Sequence, residues 1–377
     1  MNLPTGQHDA AVGRSLGDVN TPALLIDAEG LERNIKTMAA ITANAPGRLR
    51  PHCKTHKSIR IARTQIEAGA QGVCCAKLSE AAAIASGGVD DILITTPIVD
   101  RTKLEQLAAL ARVSKIAVVF DDASSLSGLA AAAEKAQRAI EVMIEVDVGQ
   151  GRCGVPPGTA ALKLVEELRG FPALRFRGLH GYQGKLQMVA KYEERRRGVR
   201  QALDLLLETA EHIRRAGHSL KILTGGGSGT VAIDIACGSL TEYQPGSYVF
   251  MDANYRKIEW DELGNPPPFT NTLTVMGSIV SRPSKDRAVI DVGWKSASCD
   301  SGPPVPVDDT LTFDFAGDEH GIVKRRDGAS LDLNLGSQLN LIPSHCDTTV
   351  NLFDTAHVIR AGRVEAIWAI DGRGCSR

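Results

Sequence analysis

Residues 115–148 read KIAVVFDDASSLSGLAAAAEKAQRAIEVMIEVDV. Lys115–Asp121 (KIAVVFD) is a short apolar run rich in β-branched residues. Ala123–Ala136 is alanine-rich with helical spacing, and Ile140–Val148 (IEVMIEVDV) returns to the first texture. This pattern predicts two strands joined by one helix. A crossover helix returns the chain to the end of the sheet where it began, so the two strands run parallel.

The unit repeats in both directions. Upstream, Ala23–Asp27 (ALLID) precedes Leu31, Ile35 and Met38, spaced as one face of a helix. Leu49–His52 precedes a helix with Ile59, Ala62 and Ile66 on one side. Gly72–Ala76 (GVCCA) precedes Ser79–Ala85, and Asp91–Thr96 (DILITT) precedes Lys103–Leu110. Downstream, Ile140–Val148 leads into Ala160–Arg169, and Leu174–Tyr182 into a long amphipathic segment, Lys191–Ala216. Leu220–Thr224 (LKILT) then runs into Gly225-Gly226-Gly227. Eight strands alternating with helices predict an α/β fold closed as a (βα)8 barrel of the TIM type. An open doubly wound sheet uses the same alternation, but no GxGxxG follows the first strand.

Beyond about residue 256 the helical period stops. Pro266-Pro267-Pro268 reads as a linker. Strand-like runs follow at Thr272–Val280, Ala288–Gly293, Thr310–Phe315, Gln338–Ile342, His357–Arg360 and Val364–Ile370. The expected division is a barrel over residues 20–255 and a β domain over 256–377, joined by residues 1–19.

Of the 377 residues 43% are hydrophobic, 23% charged and only 4% aromatic, so a large and mainly aliphatic core is expected. The formal net charge of -1 argues against a nucleic-acid partner. The one basic block, Arg195-Arg196-Arg197, sits beside Glu193 and Glu194 and reads as a solvated helix face. Eight scattered cysteines without a CxxC pair, and no secretory pattern in the first residues, predict a cytoplasmic protein. No apolar run approaches the ~18 residues of a membrane span.

In a parallel barrel, chemistry gathers at the C-terminal ends of the strands. Four polar, glycine-rich segments fall there: 50–57 (RPHCKTHK), 147–154 (DVGQGRCG), 180–184 (HGYQG) and 224–230 (TGGGSGT). The last is either a plain turn or an anion site, where glycine amides approach a phosphate and Ser228 and Thr230 add hydroxyls. Lys54, just past the second strand, is either a surface lysine or a Schiff-base amine whose pKa is lowered by Lys57, His52 and His56. His52, Cys53 and His56 look like a metal cluster, but their spacing matches no common site. His345 and Asp347 stand two apart in Ile342-Pro343-Ser344-His345-Cys346-Asp347. On an extended segment both would share one face, as a hydrogen-bonded pair or as ligands for a divalent ion such as Mn²⁺, Co²⁺ or Mg²⁺.

PHCKTHK, EVDVGQGRCGV, GYQG, TGGGSGT, QPGSYVFMD and PSHCD, in this order, span nearly the whole chain. Together they resemble the fold-type III pyridoxal-phosphate enzymes, the alanine-racemase-like barrels, in the branch of the D-threonine aldolases and D-serine dehydratases. The resemblance implies pyridoxal 5'-phosphate on Lys54, with Arg152 near the cofactor's phenolic oxygen or the substrate carboxylate and Tyr182 against the pyridine ring. Thr224, Gly226, Gly227, Ser228, Gly246, Ser247 and Tyr248 would surround the phosphate. His345 and Asp347 would hold a divalent metal, Mn²⁺ above Co²⁺ or Mg²⁺, in a homodimer acting on a small D-amino acid. Dehydratase-like members carry cysteine two residues after the metal histidine. Asp347 stands there instead, which is similar to the D-threonine aldolase and 3-hydroxyaspartate aldolase pattern. The expected reaction is therefore cleavage of a D-3-hydroxyamino acid to glycine and an aldehyde. The alternatives are a dehydratase giving a keto acid and ammonia, or a non-catalytic cofactor carrier. Trp294, Lys295 and His320 are candidates for shaping the substrate pocket.

Overall fold

The computed structural model describes residues 12–377. Nine strands precede residue 256: β1 Ala23–Asp27, β2 Arg48–Leu49, β3 Val73–Cys75, β4 Asp91–Ile94, β5 Lys115–Phe120, β6 Ile140–Glu145, β7 Leu174–Gly181, β8 Ile222–Gly225 and β9 Glu242–Tyr243. Eight of them, β2 to β9, form one parallel sheet in the order β2-β9-β8-β7-β6-β5-β4-β3. Its two ends meet. His52 bridges Cys74 in parallel, the Cys74 amide donates to the Pro51 carbonyl at 2.8 Å, and the Gln71 amide donates to Leu49 at 3.0 Å. The barrel expected from sequence is present.

Its membership differs from the sequence reading. β1 is not a barrel strand; it pairs antiparallel with residues 273–276, Ala23 opposite Met276, and parallel with residues 357–359, Leu25 opposite His357. Residues 23–27 thus belong to the second sheet. The missing barrel strand is β9, two residues long and without an apolar run to announce it. The helices fall where periodicity put them: 28–43, 59–67, 78–86, 101–113, 126–136, 159–168 and 192–215.

Strand side chains alternate between two faces. On β4 to β6, Ile92, Ile94, Val118, Phe120, Val142 and Ile144 join the large core shared with the helices. Their neighbours Leu93, Val119 and Met143, with Cys74, form a separate cluster. A buried guanidinium sits at the seam: Arg50 holds Glu242 of β9 at 3.1 Å and Asp91 of β4 at 2.7 Å.

Beyond the barrel come β10 Leu273–Ser284, β11 Arg287–Ile290, β12 Val305–Pro306, β13 Leu311–Phe315, β14 Gly321–Arg325, β15 Gln338–Ile342, β16 Thr355–Arg360 and β17 Arg363–Ala369. With β1 they make a nine-stranded sheet system. Residues 13–16 hydrogen-bond to Gly362 and Val364, alongside β17. Residues 1–11, which include the expected absence of a leader and part of the expected 1–19 segment, lie outside the described residues.

The arginine trio is corrected. Arg195 is buried, donating to the carbonyls of Val189 and Glu259, and only its neighbours are accessible. All eight cysteines are free. Among the described residues no helix is long and apolar enough to cross a membrane.

Candidate active site

The segment after β2 turns into a single 3-10 turn, Cys53–Thr55, capped by His52, whose Nδ1 accepts the Lys54 amide at 3.3 Å. This turn lifts Lys54 onto the C-terminal rim. Its side chain, 42% exposed, opens into a cleft of about 610 Å³. The cleft is lined from β6 to β9 by Arg152, His180, Tyr182, Gly226, Gly227, Ser228, Gly246 and Ser247. The structure thus brings together most of the residues singled out from the sequence.

Three of them face elsewhere. The Thr224 hydroxyl accepts from Gln244 within the barrel wall. The Tyr248 phenol is buried against Gln65, 2.9 Å away, and only its amide meets the site, donating to the Ser228 hydroxyl at 3.0 Å. Thr230, expected to donate to an anion, instead donates to the buried Asp234 at 2.7 Å.

The glycine-rich turn can take an anion. Among the described residues the amides of Gly226, Ser228, Gly246 and Ser247 donate to no protein acceptor. Gly226 adopts φ +72°, and a Cβ there would collide with the Asp234 carboxylate. The loop therefore keeps its shape only with glycine, and backbone donors with a serine hydroxyl suit a phosphate.

Lys54 meets a carboxylate from the far end of the chain. Its Nζ lies 3.4 Å from Asp347 Oδ2. Asp347 is the largest influence on the lysine and holds its pKa above the ordinary value against burial. This reverses the expectation that neighbouring cations lower it. Lys57 turns away to Glu80 at 3.5 Å, and His56 is fully buried, its Nδ1 accepting the Ser58 amide at 3.1 Å. His52 remains close, but burial first, then Lys54, push its pKa well below the usual histidine range. It is neutral, with Nδ1 accepting from Lys54 and Nε2 facing Thr95 Oγ1 at 3.1 Å.

His345 is not on an extended run. It caps the short helix Cys346–Val350 that follows β15. The pair still converges, because the helix turn carries Asp347 back toward the cap: His345 Nε2 is 3.9 Å from Asp347 Oδ1. Cys346 points away as expected, fully buried with Sγ on the Met251 carbonyl. Burial raises the Asp347 pKa, but Lys54 and His345 outweigh it and keep the carboxyl ionised below its usual range.

Among the described residues no three His, Cys, Asp or Glu side chains are clustered to hold a metal. The two that converge do fit one. Asp347 Oδ1 is buried without a hydrogen-bond partner and shares one gap with His345 Nε2. An imidazole nitrogen and a carboxylate oxygen suit a borderline-to-hard divalent cation, with water or substrate oxygen completing its shell.

Sequence reading missed several neighbours. His180 and Gln244 form the cleft floor, with His180 Nε2 and Gln244 Oε1 3.3 Å apart. Gln244 follows β9 directly, so recognising that strand would have exposed it. Tyr255 also lines the cleft. Asp252, fully buried near the His345–Asp347 pair, has its pKa pushed up to about 6, mainly by burial. Trp294, Lys295 and His320 do not line this cleft; Trp294 packs on Phe315 and Lys295 pairs with Glu319 at 2.5 Å.

The model of the alanine racemase N-terminal domain matches residues 26–254, and that of a putative serine dehydratase domain matches 272–359. A D-threonine aldolase of an Arthrobacter species is 42% identical over 98% of this chain and 96% of its own length. A 3-hydroxy-D-aspartate aldolase of Paracoccus denitrificans is 34% identical over 97% of this chain and 95% of its own. The crystal structure of a D-threonine aldolase from Filomicrobium marinum superposes with a TM-score of 0.92 at 38% identity, covering 97% of this chain and 99% of that one.

Proposed function

The chain belongs to the fold-type III pyridoxal-phosphate family, in its D-threonine-aldolase-like branch, and on that premise we propose that it is a carbon–carbon lyase cleaving D-3-hydroxyamino acids to glycine and an aldehyde with a divalent metal. The observation that carries this reading is the 3.4 Å approach of Lys54 Nζ to Asp347. It unites the lysine that lines the cleft with the His345/Asp347 pair, whose nitrogen and carboxylate oxygen fit a cation.

Pyridoxal phosphate, held through Lys54, supplies an electron sink for the bond broken at Cα. The amides of Gly226, Ser228, Gly246 and Ser247 and the Ser228 hydroxyl bind its phosphate. Arg152, whose guanidinium lies 5.6 Å over the Tyr182 ring, binds a carboxylate or phenolate oxygen beside that ring. His345 and Asp347 would hold a divalent cation, which would act as a Lewis acid and ease deprotonation of a substrate β-hydroxyl. The β-hydroxyl proton would pass to solvent water beside the His345/Asp347 pair as the Cα–Cβ bond breaks and the aldehyde leaves. Lys54, which would carry the cofactor and whose proton Asp347 stabilises, would return a proton to Cα to give glycine and recover it from solvent, leaving the protein unchanged. His52, neutral and with both nitrogens engaged, positions the Lys54 turn.

The same scaffold supports a second reading, a dehydratase, favoured by the serine dehydratase domain match over 272–359. The Asp at 347 favours cleavage. The cofactor-loaded enzyme is incubated with D-threonine and with D-3-hydroxyaspartate, with Mn²⁺ and with chelator, and the products are identified. Glycine and aldehyde, formed only with metal, support the aldolase; keto acid and ammonia overturn it. The resemblance extends the proposal to a homodimer in the cytoplasm, and eight free thiols suit a reducing compartment.

A further inference from the structure

The loop between β11 and β12 carries a carboxylate that no motif announces. Asp300 Oδ2 lies 2.6 Å from His345 Nδ1. Its other oxygen accepts two hydroxyls, Ser298 Oγ at 2.6 Å and Thr348 Oγ1 at 2.8 Å. The loop is tied to the His345 segment on both flanks. The Ser298 amide donates to Thr349 Oγ1 at 3.3 Å, and Ser344 Oγ donates to the Gly302 carbonyl at 2.7 Å.

We propose that Asp300 is the positioning residue of the His345/Asp347 cation site, receiving the Nδ1 hydrogen of His345 and so aiming its Nε2 lone pair at the gap facing Asp347. The inference rests on reading His345 and Asp347 as cation ligands. An imidazole offers two nitrogens and can turn about its last torsion. A ligand nitrogen is defined only when the other one is engaged, which is the common arrangement around metal-bound histidines. Here the acceptor on Nδ1 is itself fixed by two hydroxyls on its opposite oxygen. A carboxylate serving only as an exposed ion pair would need neither. Exposed pairs contribute only about 0–1 kcal/mol to stability, so folding alone gives little reason for this arrangement.

The test is calorimetric titration of Mn²⁺ alone into cofactor-loaded, chelator-stripped enzyme, comparing wild type, Asp300→Ala and His345→Ala. Asp300→Ala is expected to weaken Mn²⁺ binding by about 10–100-fold while the visible absorbance of the cofactor is unchanged. Excess Mn²⁺ should restore its turnover, which metal could not do for a merely structural lesion. Wild-type Mn²⁺ affinity in Asp300→Ala, with affinity lost in His345→Ala, overturns the inference and leaves the ligand reading intact. Wild-type affinity in His345→Ala overturns both. If Asp300→Ala melts before it can be titrated, Thr348→Val, which releases the carboxylate from one of its hydroxyls, must show a smaller loss in the same direction; unchanged affinity there overturns the inference.

Discussion

Lys54 Nζ and Asp347 Oδ2, 293 positions apart in the sequence by their numbers, lie 3.4 Å apart at the cleft. The carboxylate raises the lysine's pKa above its ordinary value and so shrinks its neutral fraction, and a protonated amine cannot attack an aldehyde. Asp347→Asn removes that charge and lowers the Lys54 pKa. Cofactor-free Asp347→Asn is therefore expected to capture pyridoxal phosphate faster than wild type at a given neutral pH, with its pH profile moved to lower pH. Stopped-flow absorbance across a pH series measures this. An unmoved profile means the contact does not set the lysine's charge.

The glycine-rich turn gives a second prediction. Gly226→Ala places a Cβ against Asp234 and imposes φ +72° on an L-residue. The strain should cost about 1–3 kcal/mol and displace the amides that face the phosphate. Cofactor affinity, measured by equilibrium dialysis, should fall by about 10-fold or more, 1.4 kcal/mol being tenfold. Unchanged affinity would remove the turn from the phosphate site.

Behind that turn, Asp234 is fully buried and its pKa is pushed up to about 7 by burial, against a hydrogen bond from Thr230. The folded state holds this proton more tightly than the unfolded chain does. The acid's contribution is therefore greatest below its unfolded pKa near 3.8 and is lost as pH rises toward 7. The loss has a limiting slope of about 1.4 kcal/mol per pH unit. Asp234→Asn should flatten the decline across that window and melt higher than wild type above it, measured on the cofactor-free protein. An unchanged stability profile would show that Asp234 does not titrate there.

The barrel was legible because its helices are long and periodic. Its strand roll was not. β9 is Glu242–Tyr243, and its pairing with β2 and β8 rests on backbone bonds that no side-chain pattern signals. β1 carries a fully apolar ALLI run that suits any buried sheet, and tertiary contacts with β10 and β16 decide which. Within the site, Lys54, Arg152, Tyr182 and the 226–228 turn follow from strand ends. His345 and Asp347 converge through a helix cap where a strand was expected. Asp300 left no signal, since His345 and Thr348, which tie it to the site, are 45 and 48 positions away.

Arg50 closes the barrel seam with Glu242 and Asp91, and the Arg50–Glu242 contact is largely screened from water while Asp91 is partly exposed. Arg50→Ala leaves the buried Glu242 without the cation it pairs with, keeping the hydrogen bond from Gln71. The expected loss is about 3–5 kcal/mol of stability, read by urea unfolding. A loss under about 1 kcal/mol would place the pair among exposed bridges.

Lys54 on the barrel rim and the His345/Asp347 pair on the β15–helix turn are expected to act on one substrate. Turnover of D-threonine by Asp347→Ala, saturated with cofactor and Mn²⁺, tests it most directly. Aldehyde release is expected to be abolished while the cofactor's visible absorbance stays at the wild-type level. Wild-type turnover in that variant would contradict it.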